Sequence, residues 1–342
     1  HYVHYARRMQ RRIVFRLIFA SVTQPTMRVP AASPPSLAAL RSLVLPLAPT
    51  CYKGQAGKVG VLGGCADYTG APYYAALSAL KLGADLSHVF CTDTAATPIK
   101  SYSPELIVHG CLREQQPDAA ARTAQADAIT KWFPALTALV VGPGLGRDET
   151  LQAVAQLVIE RAIAESLPCV IDADGLAIVL RTPALVRGSK WTVLTPNKPE
   201  YGRLMAAVLP EADAAETEEE QLLQLSQALG GPTVVRKGPT DLLSDGSCWL
   251  ACDEPGSLKR SGGQGDVLAG SIATMLGWAK MAESPAGDAA EVPPSMLAAY
   301  AACLLTRRFS AAAFAQRRRS MTAPDLIEAI GPVFDDFCPA SS

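Results

Sequence analysis

The chain has 342 residues, 49% of them hydrophobic and 18% charged, which fits one large α/β domain or two average domains with a well-buried core. A formal net charge of −1 gives no global basic field for nucleic acid, so a small neutral or anionic metabolite at a local site fits better. Four histidines, and nine cysteines without a C-x-x-C pair, leave little material for a Ser–His–Asp triad, a multi-histidine metal site, a zinc site or a disulfide framework; acid–base chemistry falls to Asp, Glu, Lys or Tyr.

The first fifty residues contain no Asp or Glu and carry Arg7, Arg8, Arg11, Arg12, Arg16, Arg28 and Arg41. That is the composition of a mitochondrial transit peptide, so a mitochondrial or cytoplasmic location is expected. The apolar stretch at 13–22 is about half the roughly twenty residues a spanning helix needs, which disfavours a membrane anchor. The plainer reading is translated upstream sequence, with Met9 or Met27 as the start. "PAASPPS" reads as a linker. Residues 1–50 are therefore expected to be a poorly ordered leader and linker, 51–337 a single domain and 338–342 a tail.

From about residue 53, short apolar runs alternate with helical patterns. "GKVGVLGG" is a strand ending in glycines. "GAPYYAALSALKLGA" is a helix, with Pro72 in its first turn and Gly83 at its stop. "LSHVFC" and "ELIVHGC" are strand-like, and their His88 and His109 read as structural. "ALTALVVGPGLG", "PCVIDADG" and "WTVLTPN" are three further strands, each turning polar or Gly-rich at its C-terminal end. "DETLQAVAQLVIERAIAES" and "GLAIVLRTPALV" read as helices between them. "EADAAETEEEQLLQLSQALGG" is a helix with an acidic first turn. "PTVVRKGPTDLLSDGSCWLA" reads as strand, turn, strand with Asp245–Gly246 as a hairpin turn, and "MAESPAGDAAEVPPS" as a loop between helices. This alternation predicts a three-layer α/β/α sandwich on a mostly parallel sheet, with ligands beyond the strands' carboxyl ends.

Known nucleotide motifs fail. No G-x-x-x-x-G-K-[ST] occurs. "GPGLGRD" places Gly142, Gly144 and Gly146 after a strand, but the dinucleotide fingerprint needs glycine where Arg147 stands. The turn either lets backbone approach a ligand or is a tight turn alone. In "TPNKPEYGR", Asn197 and Glu200 either face one cleft, with Glu200 near magnesium-bound phosphates, or cap a helix. In "RKGPTD", Lys237 either balances phosphate charge or sits in a solvated turn. "SGGQGDVLAGSIATML" carries the most chemistry. Val267, Leu268, Ile272, Met275 and Leu276 recur at helical spacing, so a helix begins near Asp266 behind Gly262, Gly263 and Gly265. Bare N–H groups and the helix dipole make an anion site there, suited to a transferring phosphoryl group. A simple N-cap does not need three glycines, and Gly270 one turn on points to close packing.

These stretches together resemble the ATP-dependent NAD(P)H-hydrate dehydratase family of the ribokinase-like superfamily. The likeness runs from about residue 53 to 334, and "GGQGD" resembles the eukaryotic branch. The resemblance implies ATP, with Mg2+, phosphorylating the C6 hydroxyl of hydrated NADH or NADPH, then loss of phosphate to restore the reduced nicotinamide. It implies hydrate contacts from Gly144, Asn197, Lys198, Pro199, Glu200, Tyr201, Gly202, Arg203 and Asp266. It implies ATP contacts from Lys237, Gly238, Pro239, Thr240 and Asp241, and from Gly256, Ser257, Leu258, Lys259, Arg260, Ser261, Gly262, Gly263, Gln264 and Gly265. Asp266 is then the base, and Gly263 and Gly265 shape the anion hole. No protein-held metal site, nucleic acid or membrane partner is expected; a homo-oligomer is, as is functional pairing with an NAD(P)H-hydrate epimerase. The competing readings are a same-superfamily kinase of a vitamin-precursor alcohol and a non-catalytic nucleotide binder.

Overall fold

Runs such as Ala138–Val141 are apolar at every position and buried on both sides, the pattern of strands inside a parallel sheet. In the computed structural model, which describes residues 32–212, 216–282 and 292–339, nine strands form one sheet. They are β1 Lys58–Leu62, β2 Leu86–Thr92, β3 Ile107–Leu112, β4 Ala138–Val141, β5 Cys169–Ile171, β6 Thr192–Leu194, β7 Thr233–Arg236, β8 Asp241–Ser244 and β9 Trp249–Cys252. Their order is β3-β2-β1-β4-β5-β6-β7-β8-β9. The pairs up to β6–β7 are parallel, and β7–β8 and β8–β9 are antiparallel.

The helices are α1 Leu37–Arg41, α2 Gly70–Leu82, α3 Asp93–Tyr102, α4 Ala119–Thr130, α5 Glu149–Ala164, α6 Leu176–Arg181, α7 Lys198–Val208, α8 Glu218–Ala228, α9 Gln264–Met281, α10 Pro294–Arg317 and α11 Ala323–Phe337. One sheet face, including Val59, Val61 and Val140, packs on α2, α3, α9, α10 and α11. The other, including Leu62, Leu139 and Val141, packs on α4 to α8. The α/β/α expectation holds. The chain leaves β1 toward β2 on one side and β4 lies on the other, so a crevice opens at their carboxyl ends.

Four details differ from expectation. "GLAIVLRTPALV" is not one helix: α6 stops at Arg181 and a 3-10 turn, Pro183–Val186, follows, because proline removes a donor and restricts the residue before it. The segment after residue 232 forms three strands, β7 to β9, rather than two. Helices α3 and α4 occupy stretches not marked as helical, α3 with Pro98 inside it. The expected linker is structured in its described part: Ser36 caps α1, Leu40 and Leu43 are buried in the core, and the Ala32 N–H donates to Trp249 O of edge strand β9 at 3.1 Å. The described residues form one compact unit. The leader expectation rests on residues 1–31 and part of the expected helix–helix loop on 283–291, which lie outside the described residues.

His88 Nδ1 and His109 Nε2 are 3.0 Å apart on β2 and β3, with Trp132 against both rings. Burial, then neighbouring cationic charge including His109, drives His88 down to about 4. The pair is neutral packing material. Among the described residues, no helix is long and apolar enough to cross a membrane.

Candidate active site

The glycines before α9 set its first turn. Gly263 is the N-cap with φ +88°, in the left-handed region that glycine adopts without steric cost, and no side chain caps the helix. A Cβ there would lie 2.6 Å from the Ala323 Cβ and 2.9 Å from the Tyr74 ring. The Val267 N–H is bonded to Gly263 O at 3.0 Å, so the N–H groups of Gln264, Gly265 and Asp266 precede the helical ladder and form the positive end of its dipole. The helix starts two residues before Asp266, which stands at its third position and is half-buried. A Cβ at Gly270 would meet Ala75 O at 2.1 Å; α9 and α2 touch backbone to backbone there, the close packing that this glycine signalled.

Three elements bring charge to this turn. Asp172, just past β5, is buried, and its Oδ1 accepts from Lys237 Nζ at 2.8 Å and from the Thr195 hydroxyl at 2.7 Å. The Lys237 N–H donates to Pro196 O at 2.9 Å, tying the end of β7 to the end of β6. A Cβ on Gly265 would sit 3.4 Å from Lys237 Nζ and 3.9 Å from Asp172 Oδ2, so the bare helix start faces the ion pair. Burial works against the Lys237 ammonium, but Asp172, Glu200 and Asp266 outweigh it and hold its pKa above the usual lysine value. Burial, followed by the Asp172 charge, raises Asp266 to about 8, against a smaller opposing pull from Lys237. A carboxyl group with a pKa near neutrality, beside bare N–H groups and an ammonium, is equipped to take a proton while neighbouring groups hold an anion.

A cleft of about 600 Å3 runs from this point. Lys237, Gly238, Pro239, Asp241, Gly256, Ser257, Leu258, Arg260, Gln264 and Gly265 line it, so two separate sequence segments meet in one space. Asn197 lines it too. Thr240, Lys259, Ser261, Gly262 and Gly263 do not. Lys259 and Ser261 instead hold the loop: Gln264 Nε2 donates to Lys259 O and to Ser261 Oγ, both at 3.0 Å. Asp241 is also an organiser. Its Oδ1 accepts from the Gly238 N–H at 2.9 Å and its Oδ2 from Arg307 Nε at 2.7 Å. Arg307, on α10, also donates to the carbonyls of Gly238, Pro239 and Glu254.

The 197–203 segment divides. Asn197 and Glu200 form a reciprocal capping box on α7: the Glu200 N–H donates to Asn197 Oδ1 at 3.0 Å and the Asn197 N–H to Glu200 Oε2 at 2.8 Å. Helix capping is therefore realised at these two residues. Lys198 and Pro199 are exposed in the first turn. Tyr201 turns inward, with the Arg236 guanidinium 5.9 Å from its ring centre. Gly202 borders open space. Glu200 and Arg203 line a second cleft of about 520 Å3 with Arg147 and Arg181.

Gly144 belongs to the loop after β4, beside the β1 crevice. At φ +61°, a Cβ there would lie 2.8 Å from Tyr68 O. Neighbouring loops interlock in the same way. A Cβ on Gly63 would meet Pro143 O at 2.0 Å, and one on Gly142 would meet Asp172 O at 1.9 Å. The close approach these glycines permit is between neighbouring loops of the chain itself.

Sequence reasoning about the site left out Asp172 and Arg307. For Asp172 a signal existed, a carboxylate directly after the apolar run "CVI". Arg307 lies mid-helix, 66 residues from its partner Asp241, and carries no local signal.

A cleft of about 600 Å3 ending at a glycine-led helix start stands on this mostly parallel sheet, and solved ribokinase-like structures share the fold. A ribokinase-like superfamily protein from Enterococcus faecalis has the same fold, with TM-score 0.66 and 19% identity over 89% of this chain and 95% of that one. So does the ADP/ATP-dependent NAD(P)H-hydrate dehydratase from Bacillus subtilis co-crystallised with ATP and Mg2+, with TM-score 0.60 and 20% identity over 91% and 100%. The family model described as NAD(P)H-hydrate dehydratase matches residues 59–332. The ATP-dependent (S)-NAD(P)H-hydrate dehydratase of Homo sapiens is 48% identical over 299 residues, covering 87% of this chain and 83% of that one. The chain belongs to the NAD(P)H-hydrate dehydratase family.

Proposed function

We infer that the chain is an ATP-dependent (S)-NAD(P)H-hydrate dehydratase, which returns 6-hydroxylated NADH and NADPH to the reduced coenzymes. The observation that carries the mechanism is Asp266, raised to about 8 at the uncapped start of α9. Its carboxylate takes the proton of the C6 hydroxyl as that oxygen attacks the γ-phosphorus of ATP and the bond to ADP breaks. The N–H groups of Gln264, Gly265 and Asp266 hold the charge on the transferring phosphoryl oxygens. Lys237, fixed by Asp172, adds a positive charge beside them. The C6–O bond then breaks, inorganic phosphate leaves, and a proton lost from C5 leaves its electron pair in the ring double bond. The sum is hydrate plus ATP giving NAD(P)H, ADP, phosphate and a proton.

The cleft to which the 237–241 and 256–265 segments contribute walls takes ATP, with Asp241 shaping the wall rather than touching the nucleotide. Gly144 and the exposed part of 197–203 face the hydrate. Among the described residues no cluster of three or more His, Cys, Asp or Glu could hold an ion. That donor set fits magnesium arriving on the phosphates and keeping several waters, with Asp172 and Asp266 the carboxylates at that end. The metal supplies charge neutralisation on the phosphates. An enzyme specific for the S hydrate depends on an activity that interconverts R and S, so pairing with an epimerase follows.

The test is absorbance at 340 nm, with hydrated NADH, ATP and Mg2+, of wild type beside Asp266→Asn. Wild type alone should restore the band. A stable phosphoester accumulating without the band would make the chain a small-alcohol kinase. Recovery by the Asn variant would remove Asp266 from the role of base.

A further inference from the structure

Among the described residues that line the cleft, one buried side-chain polar atom has no partner. Thr306, on α10, lines it with only 9% of its surface exposed. Its Oγ1 is shielded from solvent and has no hydrogen-bond partner. The hydroxyls on the neighbouring α9 are satisfied within their own turn: Ser271 donates to Val267 O at 2.8 Å, and Thr274 to Gly270 O at 3.1 Å. The two polar residues that share the Thr306 face of α10 are also engaged. Arg307 has its four bonds, and Ser310 accepts from the Ser257 N–H while donating to Arg307 O. A buried hydroxyl left unpaired is costly, and such groups in native proteins call for an explanation.

The lining of the cleft supplies one. Lys237 and Gly265 mark the positive, anion-holding end, while Pro239, Pro255, Leu258, Leu268 and Cys303 form an apolar lining shared with Thr306. An aromatic base suits apolar walls with one or two polar contacts. A helical threonine has two accessible χ1 rotamers, and exchange between them re-aims its hydroxyl. We propose that Thr306 is the base-recognition residue of the nucleotide cleft, its hydroxyl hydrogen-bonding a polar edge of the adenine. This rests on the cleft being the ATP site.

Calorimetric titration of the full chain tests it with Thr306→Val, which keeps the shape, and Thr306→Ser, which keeps the hydroxyl. Val should weaken ATP binding about tenfold, and Ser by less than about threefold. Ribose 5-triphosphate, which lacks the base, should bind wild type and Val alike. The KM for ATP should rise in Val while kcat and the KM for the hydrate stay. Without nucleotide, Val should melt no lower than wild type, since it removes an unpaired group. Unchanged ATP affinity in Val overturns the assignment alone. An equal loss toward ribose 5-triphosphate overturns it as well, because the hydroxyl would not be reading the base. If wild type binds no ATP, the nucleotide reading of the cleft fails and the assignment with it.

Discussion

Replacing Arg307 by methionine keeps the aliphatic stem and removes the guanidinium. The arginine and Asp241 side chains are 13% and 10% exposed and meet at 2.7 Å. In the variant Asp241 keeps the Gly238 N–H as its hydrogen-bond donor. The carbonyls of Gly238, Pro239 and Glu254 lose a donor too, although water in the cleft can replace part of that. Stripping one partner from a buried ion pair costs about 3–5 kcal/mol. For a domain of this size that corresponds to a fall in Tm of about 5–8 °C. Because Arg307 fastens both 238–241 and the strand end at 254, ATP binding should weaken at least tenfold as well. Thermal melts, urea titrations and ATP calorimetry on Arg307→Met, Asp241→Asn and the double variant form a double-mutant cycle. The double variant should be less damaged than the sum of the singles, since losing both partners strands no charge. An Arg307→Met melt within about 2 °C of wild type, or strict additivity, would refute the idea that this pair holds the cleft.

The raised pKa of Asp266 makes kcat/KM climb with pH through about 8, as the base ionises, and Asp266→Asn should lose that limb together with a 100-fold or larger share of the rate. The same shift predicts a stability change of opposite sense. Between its ordinary value of 3.8 and about 8 the folded chain holds a proton that the unfolded chain releases, so wild-type stability falls as pH rises through that window. Denaturation of the Asn variant should show a flatter slope there. Gly263→Ala forces φ +88° on a residue with a Cβ and presses it to 2.6 Å from Ala323; a loss of about 1–2 kcal/mol in urea titration, with reduced ATP affinity, is expected. Chelating magnesium should abolish recovery at 340 nm while leaving the melt of the ligand-free protein unmoved.

The parallel part of the sheet was legible because strands such as Ala138–Val141 are unbroken apolar runs with turn residues at their ends, and the start of α9 because glycines crowd it. Helices α3 and α4 were not. Their Ala- and Thr-rich sequences carry few large apolar residues, and Pro98 reads as a breaker although α3 runs through it. The third strand of the β7–β9 ribbon was hidden by the short turns on either side of β8. Side-chain partners were the least legible part. Lys237 was singled out, but Asp172 lies 65 residues away, and only the adjacency of β5, β6 and β7 brings the two together. Glu200 offered phosphate chemistry and, more readily, capping, and its Oε2 is committed to the cap. Spacing alone cannot tell which of two such uses a carboxylate has.

The interlocked loops at the β1–β4 crevice set how much substitution this site can absorb. Gly63 rests on Pro143, Gly142 on Asp172, and Gly144 on Tyr68, each closer than a methyl group would permit. Position is thus passed from the end of β1 to the ion pair through bare backbone, without a rotatable side chain in the series. Small displacements have no soft joint in which to dissipate. A single carbon added at Gly142 would press on the Asp172 carbonyl, in the residue whose carboxylate holds Lys237.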